Sequence, residues 1–78
     1  MSKLITILLS AKNEKEMENL ISGLFSTSEQ KDFDNRIKII KMLKKGMPQH
    51  TIAKELGVGV ATVSRGAKDL KLGKMEII

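Results

Sequence analysis

The 78-residue sequence has no cysteine, one histidine, one proline and no long apolar run. Without cysteine there can be neither a disulfide framework nor a thiolate-bound zinc, and the composition fits a reducing, cytoplasmic setting. The apolar stretch Leu4-Ile5-Thr6-Ile7-Leu8-Leu9 is far shorter than the roughly 20 residues a membrane-crossing helix needs, and it reads as a short packed element. Repeats, linkers and low-complexity tracts are absent, as are a Gly-rich phosphate loop, a second histidine and carboxylates at metal-ligand spacing. Asp32 and Asp34 lie two residues apart and so face different directions on a helix. The chain reads as a single non-enzymatic domain with no metal and no required cofactor. A domain of this size buries only about 60 % of the surface its unfolded chain exposes. With no covalent or metal staple available, association with a second copy is the remaining way to complete its core.

The charge is unevenly placed. Residues 1–35 carry four lysines against six acids, a net −2, whereas residues 36–78 carry ten Lys or Arg against three acids, a net +7. A basic half suits a phosphate-facing module, because each neutralised phosphate releases condensed counterions; a solvated lysine-rich surface is the ordinary alternative.

Capping signals divide the chain into helices. A first helix spans roughly 3–12, with a strand as the alternative because Ile5, Thr6 and Ile7 are β-branched. Asn13 followed by Glu16 opens a second over 14–25, with Leu20, Ile21, Leu24 and Phe25 as its apolar stripe. Ser26 followed by Glu29 opens a third, in which Phe33, Ile37, Ile40 and Leu43 recur at helical spacing until Gly46. Lys38, Lys41, Lys44 and Lys45 lie on its outer face, and Met42 and Met47 read as apolar filler beside the stripe. Pro48 is placed at the first turn of a short helix over Gln49–Leu56 that Gly57 ends.

The segment from Gln49 onward has the requirements of a helix-turn-helix. Two helices crossing at roughly 90–120° need a small residue at their contact, supplied by Ala53, and a turn residue tolerant of positive φ, supplied by Gly57. Ile52, Leu56, Val58 and Val63 fill the angle. A second helix over 60–70 then presents Val60, Ala61, Thr62, Ser64, Arg65, Gly66 and Lys68 for DNA. Thr and Ala suit a thymine methyl, and Arg or Lys suits guanine acceptors in the major groove. Gln49, His50, Thr51 and Lys54, with backbone N–H groups at the helix start, are placed to hold phosphates. A plain helical hairpin is the structural alternative, and a lone histidine such as His50 is more often incidental than functional.

Residues 20–71 resemble the bacterial tryptophan repressor family, on Arg36 through Gly46, Gln49 through Leu56 and above all Gly57 through Gly66, with the Ser64-Arg65-Gly66 step and Leu70-Lys71. The resemblance implies an all-α helical bundle forming an intertwined homodimer, with residues 1–46 as dimerisation core and 47–71 as DNA-reading head. Two heads related by a two-fold axis imply a palindromic operator in double-stranded DNA. It further implies an L-tryptophan corepressor held between Arg36 and Arg65, the only two arginines, with Ser26 at a helix end and Thr62 lining the pocket. Arginine suits this role because its planar fork pairs with a carboxylate and its face stacks on a ring. The ordinary alternatives are a phosphate contact for Arg65 and an ion pair with Asp32 for Arg36. Where the family has a hydroxyl near the ligand's amino group, this chain has Asp69. The chain also lacks one family residue around Met47, and little of the family's last helix follows Leu72. The functional expectation is a transcriptional regulator, a repressor, under tryptophan or a related amino acid. A ligand-independent DNA binder and a basic helical adaptor module are the alternatives.

Overall fold

The computed structural model describes residues 2–78 and contains five helices: α1 (Ser2–Leu9), α2 (Glu14–Leu24), α3 (Thr27–Lys44), α4 (Gln49–Leu56) and α5 (Val60–Lys71), with no strand among the described residues. The chain is a small all-α fold. It divides into two compact units, one ending at Lys31 and the other Asp32–Ile78.

In the first unit, α1 is helical despite its β-branched residues. Thr6 Oγ1 donates to the Ser2 carbonyl at 2.9 Å and Ser10 Oγ to that of Thr6 at 2.8 Å, so these hydroxyls find acceptors one turn back. The helix stops at Leu9, short of Lys12, because the Lys12 N–H is taken by the Glu16 carboxylate at 2.8 Å. Asn13 Oδ1 accepts from the Glu16 N–H at 2.9 Å, capping α2. Ser26 and Glu29 form a reciprocal box: the Ser26 N–H donates to Glu29 Oε1 at 2.8 Å, and the Glu29 N–H donates to Ser26 Oγ at 3.1 Å. No residue of α1 or α2 is buried, and Ile5, Ile7, Leu9 and Leu24 stay exposed.

The second unit holds the core, made of Ile39, Ile40, Ile52, Ala53 and Val63. Met42, Leu43, Met47, Leu56 and Val58 pack around its centre. The buried pair on α3 is thus Ile39 with Ile40, while Ile37, expected in the stripe, is 40 % exposed. The reason lies on α5. A Cβ at Gly66 would come within 3.1 Å of Ile39 Cγ2, 3.5 Å of Ile40 Cδ1 and 3.7 Å of Leu43 Cδ1. The bare glycine lets α5 approach α3, and that contact chooses which isoleucines are covered. It also groups the latter half of α3 with α4 and α5, so the boundary between units falls inside the span 1–46. Pro48 sits one place earlier than expected, as the extended N-cap of α4 (φ −61°, ψ 145°), with its carbonyl accepting from the Ile52 N–H at 3.1 Å.

Candidate functional site

The turn between α4 and α5 is closed by Gly57 in the left-handed region, φ 67° and ψ 35°, a conformation that disfavours a Cβ. The Ala53 carbonyl accepts from both Gly57 and Val58 N–H groups, while the Ala53 methyl is buried beside Ile52 and Val63. The small residue, the glycine bend and the apolar wedge therefore coincide. A hydrogen bond braces the pair of helices, with Ser64 Oγ donating to Gln49 Oε1 at 2.7 Å. Both residues were expected to face DNA; Ser64 remains exposed and Gln49 is half-buried.

Gly59, the residue before α5, is extended (φ −70°, ψ 148°) and offers no capping side chain. The Thr62 N–H donates to the Gly59 carbonyl at 3.1 Å, so the N–H groups of Val60 and Ala61 are the ones left to solvent or to an anion. Val60, Ala61, Thr62, Ser64, Arg65 and Lys68 are exposed, as are His50, Thr51 and Lys54 on α4. Gly66 differs from these, because it is half-buried against α3.

A cavity of about 300 Å³ lies where α5 faces α3, at the lower end of the roughly 300–1,000 Å³ range of small-molecule sites. It is lined by Arg36, Ile39 and Ile40 from α3, by Thr62, Arg65, Gly66 and Asp69 from α5, and by Met75. Arg36, Thr62, Arg65 and Asp69 of the expected ligand set are therefore brought together. Ser26 belongs to the other unit, where it caps α3. Arg36 does not pair with Asp32; its guanidinium stands 5.9 Å from the centroid of the Phe33 ring. The one ion pair among the described residues joins Lys74 Nζ to Asp69 Oδ1 at 4.0 Å. Two guanidinium groups, one carboxylate and an apolar floor of Ile39 and Ile40 match a zwitterion carrying an apolar side chain. The floor, Gly66 and Met75 were not anticipated from sequence. A periodic stripe cannot identify a cavity floor, and Met75 lies beyond any motif. No cluster of metal-ligating side chains occurs among the described residues, and no described helix is long and apolar enough to cross a membrane.

Comparison with known proteins agrees with this architecture. The sequence profile of the Trp repressor protein family matches residues 1–77. A Trp operon repressor homolog of Chlamydia trachomatis serovar D is 37% identical over 68 residues, covering 86% of this chain and 72% of the relative. One from Vibrio vulnificus strain YJ016 is 31% identical over 71 residues, covering 90% of this chain and 70% of the relative. One from Vibrio campbellii is 31% identical over 70 residues, covering 88% and 70%. No solved structure matches. From the profile that spans nearly its whole length and from these relatives, the chain belongs to the Trp repressor protein family.

Proposed function

We propose that this protein is a sequence-specific DNA-binding transcriptional repressor, working in the cytoplasm as a homodimer under the control of tryptophan or a related amino acid. The observation that carries the reading is the start of α5: an uncapped helix end, exposed at Val60, Ala61 and Thr62, held out by the Gly57 bend. That end enters the major groove. Ala61 and Thr62 meet base edges, and Ser64, Arg65 and Lys68 flank them, with the Val60 and Gly66 backbones close to the duplex. Gln49, His50, Thr51 and Lys54 on α4 hold phosphates.

The dimer follows from the first unit, whose α1 and α2 bury nothing in the single chain. Apolar faces of this kind are covered in stable proteins, and a second copy supplies the cover. Residues 1–46 then serve as the dimerisation core and 47–71 as the reading head. Two heads on a two-fold axis read half-sites about one helical turn apart.

Ligand control follows from the cavity walls. One wall is α3 and the other is the reading helix, so a bound amino acid fixes the spacing and tilt between them. It shifts the population of reading-competent heads only by its differential affinity for that arrangement. Arg36 and Arg65 take the ligand's carboxylate and flank its ring, and Thr62 and Asp69 contact its remaining polar groups.

Selection of binding sites from random duplexes, with and without L-tryptophan, tests the whole reading. It should return a palindromic site enriched when tryptophan is present. Enrichment that is indifferent to tryptophan leaves a ligand-independent DNA binder, and no enrichment in either arm, with weak salt-insensitive retention, identifies an adaptor module.

A further inference from the structure

Beyond Lys71 the chain turns back on the cavity. Leu72 closes α5, and Gly73 takes φ 77°. The Lys74 N–H then bonds the Asp69 carbonyl at 3.2 Å. Three side-chain contacts hold the segment there. Lys74 Nζ lies 4.0 Å from Asp69 Oδ1, Met75 forms part of the cavity wall, and Lys44 Nζ donates to the Glu76 carbonyl at 3.3 Å. The cavity's single carboxylate therefore already has a cation on it. Neither arginine has a carboxylate within 4.0 Å among the described residues.

We infer that Lys74 is a stand-in for the ammonium group of the ligand, and that residues 73–78 form a gate displaced when an amino acid takes Asp69. The inference rests on the amino-acid reading given above. A ligand anchored by its carboxylate on Arg36 and Arg65 carries its ammonium to Asp69 at high effective concentration. The resident pair is easily displaced: it is long, and the Lys74 side chain is 63% exposed, where ion pairs contribute little. While Lys74 is in place the apparent ligand affinity is lowered by the fraction of closed molecules. A carboxylate ligand without an ammonium binds the arginines and leaves the gate shut, so Asp69 and Lys74 together set selectivity for α-amino acids.

Calorimetric titration of the full chain and of Lys74→Gln with L-tryptophan and with indole-3-propanoate tests this, with the Met75 methyl NMR signal followed in parallel. Lys74 is exposed, and a thermal melt checks that the variant is folded. Lys74→Gln should bind tryptophan about twofold to fivefold more tightly, the range open to a partly exposed ion pair, with indole-3-propanoate unchanged. Tryptophan should shift the Met75 methyl well beyond the shift that the propanoate's own ring produces. Tryptophan binding that is equal in both proteins, with a Met75 shift no larger than the propanoate gives, overturns the gate and leaves the amino-acid reading standing. Absence of heat from both ligands in both proteins overturns that reading and the gate with it.

Discussion

At Gly66 a single hydrogen atom sets how closely α5 approaches α3. Alanine there would gain up to about 1 kcal/mol in helix propensity. It would also push a methyl to 3.1 Å from Ile39 Cγ2, and Ile39 is only 1% exposed, so that side chain must shift against its packed neighbours. Overpacking costs about 1–3 kcal/mol and wins: Gly66→Ala should be destabilised by about 1 kcal/mol, read as a lower urea midpoint at unchanged m-value. The sequence does not disclose this role. Gly66 stands in the middle of a strong helix-turn-helix pattern, where it reads as a DNA contact, and only the packing of α5 on α3 shows that its missing Cβ also serves the contact with Ile39. The same packing decides between Ile37 and Ile39, because three isoleucines within four positions of an amphipathic helix leave its inward direction open by about one residue.

At the scale of the helices, what was legible was local. Both capping signatures, Asn13 with Glu16 and Ser26 with Glu29, form as hydrogen bonds, because a cap depends on neighbours three residues apart and on nothing distant. The Gly57 turn was legible for the same reason. Less legible were the end of α1, which depends on a competing acceptor in α2, and the course of residues 72–78, which depends on contacts with Asp69 and Lys44. The Ser26–Glu29 box has a consequence in acid. The Ser26 backbone N–H first, and its hydroxyl second, hold the Glu29 carboxyl below its ordinary value. A depressed folded-state pKa contributes stability that is complete above the unfolded-state pKa and is lost as pH falls through the folded value. A ¹³C NMR titration of the Glu29 carboxyl should therefore give a midpoint below that of an ordinary glutamate. Glu29→Gln should remove the matching acid-limb slope from a plot of stability against pH.

For the molecule as a whole, five apolar residues buried among the described ones make a thin core for a chain of 78. The basic half, the exposed start of α5 and the exposed apolar residues of α1 and α2 all fit the proposed completion by a second copy and by DNA. The two-helix bend at Gly57 was legible from residue spacing alone, while the cavity between α3 and α5 was legible only through family resemblance, because its walls come from positions far apart in sequence. Ala61 gives the cleanest test of the central claim. It is exposed in the first turn of α5 and lines neither core nor cavity. A glutamate there should leave folding untouched or improve it by about 0.3–1 kcal/mol, since an acid suits a helix N-terminus. In the major groove the same charge would face the polyanion. Anisotropy titration of Ala61→Glu against the selected duplex should show affinity reduced by about tenfold or more, at an undiminished melting temperature. Affinity equal to that of the unmodified protein would place the DNA on some other surface.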